Sequence, residues 1–589
     1  MRQLFAALLG LVLLLGASAV AADEPRVSRF GEYSGYSPQI ADGYIRTSFY
    51  LPMRDGVRLA VDLYRPAKGG VLVEGKFPVI WHHTNDRGPG GPIPDRANPG
   101  LAAMPLLTRY GYVVAVVERR GLGASTGARR GYHDRNEDFD AYEVTEWLAS
   151  QAWSTGNVGI WGCSNTGEAA MHAVSVAPPH LKAAFAGCFS FNKYDGMLRG
   201  GIFAQWGTGP ERTFDQDMTA RPVDGDESRT ILRQAATDHR GSTVLYDLWT
   251  GMPYRDSFSP LVGSRFWAEG SLSSYLPQVR ASGVPIYILG GWQDEFRKEG
   301  MVAFANLDPG KRRIIIGPWR HCQNDGFNLL AEAHRFFDFY LKGIDNGLGS
   351  EDPVHYFTLN AAGGQEWRSA RDLPDFARRP FYLAPAGLSS RAPAARDGDA
   401  ATTFTISYDA PAPGPNDAPD RRLNGIMAFA VPAPVEGAGP HFLGPVLAAD
   451  TEVTGIPIAD LWITASADDT ALFVYLEDVA PDGTVRVVTD GRLRASHRRL
   501  NDPPYAYLGL PWHRSYAEDI QALVPGEPAK LTFDLFPISW VFKAGHRMRI
   551  SIAGADYRER NRPQLTPPPT VRILNSPDHP STVALPFAG

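Results

Sequence analysis

Three polar residues, far apart in the chain, stand in the same kind of place. Ser164 lies in Gly162-Cys163-Ser164-Asn165-Thr166-Gly167, directly after the apolar run Val158–Trp161 and directly before the helical stretch Glu168–Val176. Asp294 follows Val284–Leu289 in Gly290-Gly291-Trp292-Gln293-Asp294. His321 follows Arg313–Ile316 in Gly317-Pro318-Trp319-Arg320-His321. A serine on a sharp strand-to-helix turn is lifted above its sheet, and flanking glycines let the backbone bend that tightly. A serine hydroxyl is a weak nucleophile at neutral pH, so it needs a base in hydrogen-bond reach, which His321 would supply. Asp294 would fix the imidazole tautomer and stabilise the imidazolium. The chemistry expected is acyl transfer to water.

That chemistry also needs donors aimed at a developing oxyanion. The backbone N–H of Asn165, the residue after the nucleophile, is one candidate. The other is the side-chain amide of Asn85, in the loop His82-His83-Thr84-Asn85-Asp86-Arg87. Trp292 and Phe296, beside Asp294, suggest an apolar acyl or aryl group in the substrate. Glu295 and Asp195 could together bind an α-ammonium group. The bland alternatives are a glycine-rich turn with a capping serine, an aspartate helix cap, a solvated histidine and solvated carboxylates. A metal held by His82, His83 and Asp86 is not expected. No H-x-x-x-H or H-E-x-x-H spacing occurs, and adjacent strand residues face opposite sides. No cofactor is implied.

The elements that must position these residues are legible as periodicities. Tyr44–Pro66 reads as a hairpin, with Val57, Leu59, Val61 and Leu63 alternating and Arg54-Asp55-Gly56 as the turn. Phe77–Trp81, Tyr112–Val117 and Val158–Trp161 are short, nearly continuous apolar runs, as expected for strands buried on both faces. Helical patterns at Leu101–Tyr110 and Glu137–Gln151 lie between them. The alternation resumes with Val284–Leu289, a helix near Met301–Asn306, Arg313–Gly317 and a helix over Asn328–Leu341. In that last helix Leu329, Ala333, Phe336, Phe337 and Tyr340 form one apolar stripe. Strand–helix–strand alternation predicts a parallel, doubly wound sheet, and Ser…Asp…His is the chain order of α/β-hydrolases.

The expected division is a signal peptide over 1–22, an α/β-hydrolase core over 40–189 and 279–347, a helical cap insertion over 190–278, and an all-β sandwich domain over 348–589, which the family resemblance given below implies to be a jelly roll. The cap is rich in aromatics (Phe191, Tyr194, Phe203, Trp206, Trp249) and carries helical stretches such as Glu227–His239. Ser390–Ala401 and Asp409–Arg422 are loop-like, and Leu472–Leu476, Val485–Val488 and Met548–Ile552 read as short strands of a β-sandwich.

Composition narrows the function classes. Lys+Arg 58 against Asp+Glu 64 leaves a formal charge of −6, with no basic stripe to neutralise phosphates, so no nucleic-acid partner is expected. Arg2, the apolar run Leu4–Leu15 and Ala19-Val20-Ala21 read as a secretory signal cleaved near Ala21 or Ala22. That apolar core is shorter than the ~20 residues a bilayer span needs. The expected protein is therefore exported, to periplasm or medium, with no membrane span after signal removal. Cys163, Cys188 and Cys322 are an odd set, expected to be buried free thiols.

At these residues the sequence resembles the cocaine esterase/X-prolyl dipeptidyl-peptidase superfamily of serine hydrolases. Arg54-Asp55-Gly56-Val57-Arg58-Leu59 looks like the family's opening hairpin, and Arg119-Arg120-Gly121-Leu122-Gly123-Ala124-Ser125-Thr126-Gly127 like its R-G-x-G-x-S-x-G loop. Ala152–Gly159 resembles the approach to the elbow, whose G-x-S-x-x-G spacing the family shares. Trp292…Asp294 and Gly317-Pro318-Trp319…His321 match its acid and base loops. Asp478–Gly483 and Ala544–Arg547 match its jelly roll. The resemblance implies Ser164 as nucleophile, Asp294 as acid and His321 as base. Two departures stand out: Thr84-Asn85 replace a usual Pro-Tyr pair that supplies an oxyanion tyrosine, and Asn165 replaces a usual Tyr. The expected activity is cleavage of small esters or amides. X-Pro dipeptidyl-peptidase, α-amino-acid ester hydrolase or β-lactam acylase activity are the alternatives. A catalytically silent carbohydrate-binding protein is the alternative of another class. The partner is a small-molecule substrate; the oligomeric state is not legible.

Overall fold

Alternate residues of the apolar runs end on opposite sides of one sheet. The computed structural model describes residues 26–88, 101–203, 212–394, 400–409, 435–556 and 564–588. The signal peptide expected at 1–22, Trp206 and most of Asp409–Arg422 lie outside the described residues. The sheet strands are β1 (Gly43–Pro52), β2 (Arg58–Lys68), β3 (Phe77–Thr84), β4 (Val113–Glu118), β5 (Ser154–Cys163), β6 (Leu181–Gly187), β7 (Ile286–Gln293), β8 (Arg312–Arg320), β9 (Val354–Phe357) and β10 (Trp367–Ala370). Their order is β10-β9-β8-β7-β6-β5-β3-β4-β2-β1, with a short strand Val71–Leu72 beside β2. From β9 to β4 every pairing is parallel, and antiparallel hairpins close both edges.

Val79, Trp81, Ile160, Ala184, Ile288 and Ile316 face one layer, while Ile80, Trp161, Phe185, Tyr287, Leu289 and Ile315 face the other. Helices α1 (Arg135–Ser150) and α2 (Asn165–Ser175) cover the first face through Val144, Leu148, Met171 and Val174. Helix α3 (Arg297–Asn306) follows β7 on that side, and α4 (Leu329–Lys342) covers the second face with Leu329, Ala333, Phe336 and Phe337. Truncating one such buried phenylalanine to alanine costs about 3–5 kcal/mol. Asp134 caps α1 by accepting the N–H groups of Asn136 and Glu137, and Gly343 ends α4 at φ 67°.

The fold differs from the sequence expectation in three places. Strand β6 was not anticipated, because Leu-Lys-Ala-Ala-Phe-Ala-Gly has little intrinsic β preference; burial between β5 and β7 makes it a strand. The boundary expected at 347 falls before β9 and β10, which belong to the first sheet and not to the sandwich. The Leu101–Tyr110 stretch winds as a 3₁₀ helix, with Pro105 inside it lacking an N–H.

Between β6 and β7, short helices including Lys193–Met197, Thr230–Asp238 and Leu276–Ser282 form the cap. Tyr194, Phe203, Trp249, Phe266, Trp267 and Phe296 gather into a core of its own. After β10 the chain is a β-sandwich of antiparallel strands. Ala471–Val479, Val485–Arg494 and Arg547–Ala553 pair within one sheet, and Ile458–Ala465 is central to another. The sandwich grips α3: Arg297 donates to the Pro537 carbonyl at 3.1 Å, and Lys298 reaches Asp534 at 2.9 Å.

Candidate active site

Strand β5 ends at Cys163, and Ser164 takes φ 62°, ψ −133°, a strained conformation for a residue with a side chain. Two hydrogen bonds hold the turn: Ser164 N–H donates to the Gly187 carbonyl, and Ser164 C=O accepts from Glu168 N–H, both at 2.9 Å. A Cβ on Gly162 would lie 2.1 Å from the Thr166 carbonyl oxygen, and one on Gly167 would lie 2.3 Å from that of Gly187. The second glycine of the elbow therefore falls at 167, where α2 meets the end of β6.

The three candidate residues converge. His321 Nε2 lies 2.6 Å from Ser164 Oγ, and His321 Nδ1 lies 3.0 Å from Asp294 Oδ2. Asp294 is fully buried, and its other oxygen accepts the Phe296 N–H at 2.8 Å. Burial pushes this carboxyl's pKa up, but the adjacent His321, the Cys188 thiol and the Phe296 N–H outweigh it and hold the group below the ordinary carboxylate range. The carboxylate is thus ionised and aimed at Nδ1, which leaves Nε2 able to accept the serine proton.

Asn165 opens α2, so its N–H has no intrahelical acceptor. Its side-chain oxygen accepts from Arg119 Nη1, which also donates to Asn85 Oδ1 at 3.3 Å. Arg119 is wholly buried, pairs through Nη2 with Glu137, and lies 4.9 Å over the Tyr132 ring. Sequence reasoning placed Arg119 in a loop motif but missed this contact. The Arg119–Gly127 run right after β4 was the available signal.

The other expected substrate residues are placed differently. Trp292 is buried in the core, with its indole N–H donating to the Phe357 carbonyl at 2.5 Å. This bond ties it to the end of β9. Asp195 is bound by Arg255 at 2.6 Å, and Glu295 by Arg199 at 3.3 Å, with Arg492 at 3.7 Å. Both carboxylates are therefore already neutralised by guanidinium groups, and the expected ammonium site does not form. Phe296 keeps its place beside the relay, its ring 5.7 Å from that of His321, while also packing into the cap core. The cysteines correct a further expectation: Cys163 and Cys322 are disulfide-bonded, with Cα atoms 5.9 Å apart, and Cys188 is a buried free thiol. No spacing rule in the sequence joins residues 159 apart.

A largely parallel sheet edged on both sides by antiparallel strands, a serine on a tight elbow and a histidine–aspartate pair on the same rim define an α/β-hydrolase, here with a helical cap and a C-terminal β-sandwich. The family model for X-Pro dipeptidyl-peptidase (S15 family) matches residues 55–323, and that for the X-Pro dipeptidyl-peptidase C-terminal non-catalytic domain matches 346–584. A Mycobacterium tuberculosis protein carrying a provisional serine-esterase name is 32% identical over 607 residues, covering 92% of this chain and 95% of that one. Cocaine esterase of Rhodococcus sp. is 28% identical, covering 92% of this chain and 98% of its own. A solved α-amino acid ester hydrolase superposes with a TM-score of 0.71 at 21% identity, covering 97% of this chain and all of the other. The chain belongs to the cocaine esterase/X-Pro dipeptidyl-peptidase family of serine hydrolases, and it is a hydrolase.

Proposed function

We propose that the protein is an exported serine hydrolase that cleaves small esters or amides through an acyl-enzyme, with Ser164 as nucleophile, His321 as general base and Asp294 as its orienting carboxylate. The observation that carries this reading is the contact chain of 2.6 Å from Ser164 Oγ to His321 Nε2 and 3.0 Å from Nδ1 to Asp294. His321 takes the serine proton as Oγ attacks the carbonyl carbon, and returns it to the leaving group as the tetrahedral intermediate collapses. Water then repeats the sequence to release the acid. The Asn165 N–H and the Asn85 amide are the proposed oxyanion donors. Arg119 fixes both carboxamide oxygens, so each amide nitrogen points away from it.

The preferred substrates on this reading lack a free α-amine, because Asp195 and Glu295 are held by Arg255 and by Arg199 with Arg492. Export is supported by the N-terminal pattern and by a disulfide, which persists in oxidising compartments. The test is Ser164→Ala, expected to abolish p-nitrophenyl ester turnover and fluorophosphonate labelling while circular dichroism and Tm stay unchanged. Turnover equal to wild type would refute the assignment.

A further inference from the structure

The chain has three cysteines, and all three stand around the proposed relay. Cys163 immediately precedes Ser164, and Cys322 immediately follows His321. The thiol of Cys188 hydrogen-bonds the Asp294 carboxylate, and its sulfur accepts the Cys322 N–H at 3.4 Å. Sheet order explains why such a fastening has work to do. β5, which ends at the serine, and β8, which leads to the histidine, are separated by β6 and β7. Three strand spacings of ~4.8 Å put those strand ends ~14 Å apart. The base loop must fold back across the ends of β7 and β6 to reach the elbow, and the disulfide secures it there. Cys188, at the end of β6, and Asp294, at the end of β7, fill the gap between.

Resting on the hydrolase reading above, we propose that the Cys163–Cys322 disulfide is a positioning clamp that holds His321 against Ser164, so that full turnover requires the oxidised form. Cutting it with a small dithiol balances as follows. One thiolate attacks Cys322 Sγ, which is half-buried and the more open end, and the S–S bond breaks, releasing the Cys163 sulfur, which takes a proton. The second thiol resolves the mixed disulfide, freeing the Cys322 thiol and leaving the reagent as a cyclic disulfide. The dithiol supplies both electrons. Cys188 does not carry out this exchange itself. Burial, with the Asp294 carboxylate beside it, pushes its thiol well above the ordinary range, so it stays an S–H donor to Asp294 and not an attacking thiolate.

The test compares oxidised wild type, wild type treated with dithiothreitol and a chelator, and the Cys163→Ala/Cys322→Ala variant. Mass spectrometry after alkylation verifies the thiol count, and the chelator prevents metal capture by freed thiols. The readouts are the rate of fluorophosphonate labelling at Ser164, together with kcat and KM for a p-nitrophenyl ester, all well below Tm. Reduction and the double variant are each expected to slow labelling and lower kcat about 10–100-fold, with KM within about twofold, because a displacement of about 1 Å in a reacting group costs on that order. The double variant should also ignore dithiothreitol. Labelling and kcat equal to the oxidised protein, in reduced wild type or in the folded variant, would overturn the clamp. If the variant yields no folded protein, the reduced wild type decides, and if the bond resists the dithiol, the variant decides. Wild type that takes no fluorophosphonate in either state would instead overturn the Ser164 reading itself.

Discussion

Arg119 donates from a single guanidinium nitrogen to the side-chain oxygens of both Asn165 and Asn85, two residues 80 positions apart, one opening α2 at the elbow and the other in the loop after β3. A buried cation in that position fixes the orientation of both carboxamides. Asn85→Ala is expected to lower kcat by about 10²–10³-fold if its amide stabilises the oxyanion. Arg119→Lys, which keeps the charge but loses the planar fork, should lower kcat with little effect on KM. A change of only a few-fold at Asn85 would remove it from the oxyanion hole.

The carboxylate of Asp294 should matter for orientation more than for bulk. Asp294→Asn keeps the shape but presents a donor where Nδ1–H needs an acceptor, favouring the wrong imidazole tautomer. Loss of kcat by about 10⁴-fold, at nearly unchanged KM and Tm, is the expected outcome. Steady-state kinetics with a p-nitrophenyl ester measures it.

Replacing Asp195 should reveal a structural role. Asp195→Asn leaves the Arg255 guanidinium, which also touches Asn192 and the His513 and Arg514 carbonyls, with less compensation. Tm should fall by about 1 °C for each 1 kcal/mol lost, because the unfolding entropy of a chain this long is about 1.2 kcal/mol/K. The ratio of kcat/KM for an amino-acid ester over its des-amino analogue should stay constant. A collapse of that ratio would restore an ammonium-binding role for Asp195.

Acidification should destabilise the sheet through its buried histidines. Burial pushes His82 down to about 4, against the pull of its hydrogen bond to the Trp161 carbonyl, and burial pushes His355 down to about 3. The unfolded imidazoles take a proton near pH ~6.5. Between about pH 6.5 and 4 each of these two imidazoles therefore binds more protons in the unfolded chain than in the folded one. The stability from His82 is complete above that window and is lost as pH falls through it. Burial raises the carboxyls of Asp134 and Asp140 to about 7 and about 6, which acts in the opposite sense, so the comparison is with His82→Gln: from pH 7.5 to 4.5 the urea midpoint of wild type should fall relative to that of the variant. A difference between the two midpoints that does not change with pH would contradict this.

Much of the fold was legible because its signals are local. The two-faced apolar runs of β3, β4 and β5, the stripe on α4 and the glycines at 162 and 167 each reflect a constraint within a few residues. The relay was legible for the same reason: each member directly follows a recognisable parallel strand. Strand β6 was not, since its alanine-rich stretch becomes a strand only through its neighbours. The hairpin β9–β10 was not either, since a four-residue strand has the same local pattern whichever sheet it joins.

The sequence by itself determined the order Ser164, Asp294, His321 along the chain and the rim on which they stand, because strand–helix alternation forces successive strand ends to one edge. Only the tertiary structure decided what Asp195, Glu295 and the cysteines do. A carboxylate is a ligand site or a spent counter-ion according to which arginine folds next to it, and a thiol is free or bonded according to a distance between residues over a hundred positions apart. Those are long-range pairings, and no local pattern encodes them.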